Sequence, residues 1–191
     1  MKVLSLKVGR YLNKYSQDAY EESIICYGVE VVLNSLIKVA TLLMLGIMFN
    51  QLFLLCVILF CFCILRLFSG GYHFKSFLYC YITSLLSIVS LVSLSIFLSD
   101  YISNTHIFFI LVFSTFFSLN ILMFIGPQIN KNRPNSNKKI FFQITSILIV
   151  IFLFSLSVCN FYLHVLPRSY SIGISLTVFY QCLLLTLSKS S

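Results

Sequence analysis

The stretch Arg66-Leu67-Phe68-Ser69-Gly70-Gly71-Tyr72-His73-Phe74-Lys75-Ser76-Phe77-Leu78-Tyr79-Cys80 interrupts an apolar chain with two glycines, two cations and a histidine, and ends on a cysteine. Ionisable residues at this depth in a hydrophobic chain are candidates for function by default. An imidazole moves protons near neutral pH, and a cysteine sulfur attacks carbonyl carbon as its thiolate. On one straight helix, the seven-residue step from His73 to Cys80 keeps both on one face but about 10 Å apart along the axis. Proton transfer needs about 3 Å or one bridging water. The two meet if His73 belongs to the Gly70-Gly71 turn and folds back, while Ser76 caps a new helix with Cys80 in its opening turns. The positive helix end and a nearby imidazolium would then both stabilise a thiolate. His73 would take or supply the proton and later protonate a leaving amine. By itself, a His-x6-Cys pair does not establish catalysis.

The elements that must position these residues follow from composition. The chain has 191 residues, 59% hydrophobic and 9% charged, with a mean hydropathy of +0.99. A soluble domain carries roughly 25% charged residues, so a water-soluble globule is excluded. Apolar windows long enough to cross a bilayer recur at about 28–49, 51–68, 77–98, 107–125, 140–162 and 171–187. They are apolar on both sides, whereas a membrane barrel needs alternating polarity. We therefore expect an all-α polytopic integral membrane protein, one domain over 1–191 with about six transmembrane helices. Residues 1–20 place Val3, Leu4, Val8 and Leu12 among Lys2, Lys7, Arg10 and Lys14, the pattern of a basic amphipathic helix on an anionic membrane surface. Ser84, Ser87, Ser90, Ser93 and Ser95 read as a helix-packing surface in lipid.

The 13 basic and five acidic residues leave a net charge of +8, which orients the chain. With both termini cytoplasmic, the inner segments collect Lys2, Lys7, Arg10, Lys14, Arg66, Lys75, Lys131, Arg133, Lys138, Lys139 and Lys189, while the outer loops hold only Arg168. Asp100, His106 and His164 then lie near the outer face. Segment 66–76 falls at the cytoplasmic boundary, either as a loop or as a re-entrant hairpin. The 131–139 segment lacks the interleaved aromatics that nucleic-acid stacking needs, so no nucleic-acid partner is expected.

Glu30, Asn34 and Lys38 recur at steps of four and share one helical face. They form either a polar seam in which Glu30 orients His73, or a structural set of interhelical hydrogen bonds with a Glu-Lys pair. Cys26, Cys56, Cys61, Cys63, Cys159 and Cys182 bring the cysteine total to an odd seven. With the membrane placement, this argues for small apolar fillers over a disulfide framework. Cys61 and Cys63 point to different helical faces and lack partner ligands, so no metal site is expected. Nothing in the chain calls for a cofactor.

Arg66, Gly70-Gly71, His73 and Cys80 resemble the R-x3-GG-x-H-x6-C signature of the accessory gene regulator B (AgrB) family, integral-membrane cysteine peptidases of Gram-positive quorum sensing. The resemblance spans essentially the whole chain, through its length, its basic amphipathic start, Tyr27-Gly28-Val29-Glu30, Lys38, and Gly126-Pro127 before a basic loop. Where the family often reads Lys-Pro-Ile, this chain has Arg133-Pro134-Asn135. The resemblance implies cleavage of a small amphipathic AgrD-like precursor peptide, with the acyl group held on Cys80 as a thioester and passed to a side chain of the peptide. The product is a cyclic thiolactone or lactone. It also implies Cys80 as nucleophile, His73 as general base and acid, and Arg66, Gly70 and Gly71 in support. Family precursors carry an acidic tail, which Lys131, Arg133, Lys138 and Lys139 could attract; a topology-setting role alone would also account for that loop. The expected location is the cell membrane, and a homo-oligomer is compatible with this reading. The rival is a small non-enzymatic transporter or exporter, with a Gly-broken helix and a pathway lined by Glu30 and Lys38.

Overall fold

A computed structural model describes residue 11 and residues 22–70, 77–127 and 139–190. The described residues form six long helices and no strand: α1 (Glu22–Met48), α2 (Leu52–Ser69), α3 (Phe77–Tyr101), α4 (Asn104–Phe124), α5 (Lys139–Leu163) and α6 (Arg168–Ser190). Each contains a segment long and apolar enough to cross a membrane, as the apolar windows require. Apart from Tyr11, the expected amphipathic segment 1–20 lies outside the described residues. The turn from α1 to α2 is short. Asn50 adopts φ 54, and the Gln51 amide donates to the Gly46 carbonyl at 2.9 Å. Helix α4 begins at Asn104, three residues before its apolar window, after an extended Ser103.

Lipid inverts the usual rule for which helix is central. A lipid-facing helix needs apolar side chains, while small and polar residues are best placed between helices, where backbones approach and hydroxyls find partners. Helix α6 has the lowest hydropathy of the six spans and is the most buried, more than half of its segment against at most a third elsewhere. It packs against α2, α3, α4 and α5, while α1 packs on α2 and α3. Its buried polar residues include Ser169, Ser171, Ser175, Thr177 and Gln181. Gly173 lets α2 come close, because a Cβ there would sit 3.1 Å from Ile58 Cδ1. Hydroxyl contacts tie the neighbours in: Ser175 bonds Ser114 of α4, and Asn160 of α5 donates to Ser171 Oγ at 2.9 Å.

Apolar packing fills the remaining seams. Leu42, Leu54, Ile58, Ile88 and Leu91 join α1, α2 and α3. Leu65, Leu122, Val150, Val178 and Leu185 join α2, α4, α5 and α6. Large side chains such as Phe53, Phe60, Phe109, Phe116, Phe124 and Phe152 face outward, as a lipid-bathed perimeter demands. In the serine-rich stretch, Ser95 is buried and Ser84 and Ser87 are half-buried, but Ser90 and Ser93 are exposed. The packing surface expected there is therefore confined to one side of α3. The exposed hydroxyl of Ser90 satisfies itself on its own helix, donating to the Ser87 carbonyl at 2.8 Å.

Candidate functional site

Short connections between long helices place the end of α2, the start of α3 and the end of α6 at one end of the bundle. Helix α2 carries Arg66 in its last turn, where a cation complements the helix dipole. The Arg66 guanidinium carbon lies 5.6 Å from the Phe62 ring centroid, within cation–π range. Phe62 stacks on Tyr180 of α6 at 6.4 Å, and the Tyr180 hydroxyl meets Ser87 Oγ of α3 at 2.6 Å. This chain of contacts joins three helices beside the motif.

Helix α2 stops at Gly70, whose φ of 76° and ψ of −150° lie in a region open essentially to glycine alone. The Gly70 amide closes the last turn on the Arg66 carbonyl at 3.0 Å. Its own carbonyl accepts from Gln181 Nε2 at 2.7 Å, and the same nitrogen reaches Ser69 Oγ at 3.3 Å. Gln181 is 1% exposed, and its Oε1 is buried without a hydrogen-bond partner among the described residues. Glutamine thus ties the glycine turn to the central helix. A reading of the sequence passes over Gln181; its signal is an amide in an apolar span, in register with Gly173 and Thr177 at steps of four. Replacing Gln181 by Leu removes this donor and leaves the half-buried Gly70 carbonyl with only the longer 3.4 Å contact from Ser69 Oγ, a cost of about 1 kcal/mol. The expected result is roughly tenfold lower activity, with expression and helicity retained, measured on matched membrane preparations.

Cys80 sits in the first turn of α3, which begins at Phe77. It is half-buried. Its carbonyl accepts from the Ser84 hydroxyl. Its sulfur receives a hydrogen bond from Lys38 Nζ at 3.1 Å across 42 residues of sequence. Lys38 stands well inside the apolar Gly28–Met48 segment of α1. Its long stem allows the ammonium to reach the end of the bundle where the motif lies. Glu30 is half-buried on the same helix, two turns nearer the N-terminus and about 12 Å away along the axis. Asn34 lies between them, its Oδ1 buried without a hydrogen-bond partner among the described residues.

The structure therefore brings Cys80 and Lys38 into contact and sets Arg66 and Gly70 at the same end of the bundle. Gly71, His73 and Ser76 lie outside the described residues, as do Lys131, Arg133 and Lys138; Lys139 opens α5. The Lys38 contact alters how the rival readings divide. A transporter lined by Glu30 and Lys38 and a thiol enzyme with Lys38 on its sulfur both depend on Lys38. Dependence on the Cys80 thiol separates them.

The remaining candidates behave as local structure. All seven cysteines are free. Cys61 is buried and Cys63 exposed, consistent with residues two apart on a helix. His106 Nδ1 lies 2.6 Å from Ser103 Oγ at the start of α4. His164 closes α5 with φ 52, its amide on the Asn160 carbonyl at 2.9 Å. Both histidines sit at the end of the bundle opposite Cys80.

Among known proteins, the family model described as Accessory gene regulator B matches residues 5–185. No curated protein and no solved structure matches the chain.

Proposed function

Because the chain belongs to the accessory gene regulator B family, which places it in a quorum-sensing system with an AgrD-type precursor, we propose that it is a membrane-embedded cysteine endopeptidase that matures that precursor. The observation that carries this reading is the Cys80 sulfur in the opening turn of α3, held at 3.1 Å from a lysine ammonium. It lies at the end of the bundle where the glycine turn is tied down by Gln181.

The Cys80 thiolate attacks the scissile carbonyl, forming the C–S bond while the carbonyl π electrons move to oxygen. Collapse of that intermediate breaks the C–N bond. His73 first takes the thiol proton and then delivers it to the leaving amine. The acyl group remains on Cys80 as a thioester. A thiol or hydroxyl of the peptide, its proton taken by His73, attacks that carbonyl; the ring closes as the C–S bond to Cys80 breaks, and His73 returns the proton to the released thiolate. The water-poor setting of a helical membrane bundle favours this transfer over hydrolysis. Arg66, Gly70 and Gly71 support the site. The protein acts in the cell membrane with both termini and the Cys80 end on the cytoplasmic side.

The basic loop gives this reading a substrate-docking surface. Lys131, Arg133, Lys138 and Lys139 attract the acidic tail of the precursor. Neutralising all four raises KM for the precursor several-fold at low salt and leaves kcat nearly unchanged. The difference from the parent shrinks at high salt, because exposed charges are screened within about 10 Å at 0.1 M. Steady-state cleavage at two ionic strengths measures it. The reading as a whole is tested by co-expression with a small amphipathic peptide that bears an internal Cys or Ser and an acidic tail. Release of the tail and appearance of a cyclic product are expected; export of an intact precursor would support the transporter instead.

A further inference from the structure

We propose that Lys38 is a catalytic residue of this site, an ammonium placed to face the negative charge on the Cys80 sulfur once His73 has taken its proton, and to face it again as that charge moves to the carbonyl oxygen. The inference rests on the cysteine-peptidase reading above and extends it to α1. Lys38 Nζ donates to Cys80 Sγ at 3.1 Å, and the contact is half-buried between two different helices. A neutral thiol is a weak acceptor for an ammonium, whereas a thiolate balances its charge. In the low dielectric of a span, a cation and an anion in contact attract more strongly than they would in water.

The same placement serves the next step. When the sulfur bonds the substrate carbonyl carbon, the negative charge leaves sulfur and appears on an oxygen two bonds away. A flexible lysine beside the sulfur remains within reach of that oxygen. When the amine departs, the carbonyl re-forms and the thioester is neutral. Attack by the peptide's own nucleophile reverses the sequence and returns the charge to sulfur. Lys38 thus stabilises both anionic species without exchanging a proton, leaving proton transfer to His73.

The test uses the full chain in detergent, with Lys38→Met, Lys38→Arg and Cys80→Ala. Alkylation by iodoacetamide is followed cysteine by cysteine by mass spectrometry, with exposed Cys56, Cys63 and Cys159 as internal references. Precursor cleavage is measured in parallel. Lys38→Met is expected to slow Cys80 alkylation by roughly tenfold or more while the reference cysteines react at the parental rate. Precursor cleavage should fall at least as far. Lys38→Arg should restore much of both. The proposal is overturned if Cys80 in Lys38→Met alkylates at the parental rate, whether or not cleavage falls, because the loss then comes from packing or peptide binding. If Cys80→Ala cleaves the precursor like the parent, the peptidase reading itself fails, and Lys38 loses its catalytic role with it.

Discussion

Cys80→Ala is expected to reduce precursor cleavage by at least about 10⁴-fold, because removing a nucleophile leaves only the background that binding and positioning can supply. The variant should still fold. Cys80 is half-buried and belongs to none of the three buried clusters that join the helices, so expression and thermal midpoint in detergent should match the parent. Cys80→Ser is expected to be nearly as inactive. A hydroxyl is not ionised near neutral pH, so the ammonium of Lys38 would face a neutral oxygen. Quantifying cyclic product by mass spectrometry, with both variants at matched membrane levels, measures the effect. Parental activity in Cys80→Ala would exclude thiol chemistry.

The second large effect is at His73. His73→Ala is expected to slow cleavage by about 10²–10⁴-fold, the range for removing a positioned general acid and base. Binding of the precursor should be nearly unchanged if the imidazole serves only to move the proton. Imidazole added to the medium should recover part of the rate in His73→Ala and none in Cys80→Ala. That rescue identifies proton transfer as the missing function. Parental cleavage by His73→Ala would assign the proton to another group.

Cys80 and His73 differ from Lys38 and Gln181 in how plainly the sequence points to them. Cys80 and His73 are conspicuous because a cysteine, a histidine and a glycine pair interrupt a hydrophobic run. Lys38 is visible as a charge in the first span, but its partner is 42 residues away on another helix, and no local pattern predicts which face α1 turns toward α3. Glu30, Asn34 and Lys38 read as one stripe, yet the lysine is the member that the structure places on the sulfur. Gln181 is harder still. Within an apolar window it looks like a single tolerated amide, and its importance depends on α6 being central. Hydropathy marks all six windows as spans, and the central one stands at the low end of its scale. Helix α6 is the least apolar of them and the most buried. Between membrane helices, small and polar residues mark the interior, so the rule for ranking the windows is the opposite of the one used for soluble domains.

Both the histidine and cysteine variants test for loss of activity, which damage at a distance can imitate. A covalent intermediate cannot be imitated in that way. A precursor whose internal Cys or Ser is replaced by Ala can still acylate the enzyme but offers no side chain to take the acyl group. Incubated with the parent protein, it should accumulate the N-terminal fragment of the precursor on Cys80. The adduct should appear as the corresponding mass increment on the peptide containing Cys80 and be released by neutral hydroxylamine, as a thioester is. Cleavage of that precursor with Cys80 unmodified throughout, and with Cys80→Ala equally active, would contradict the account.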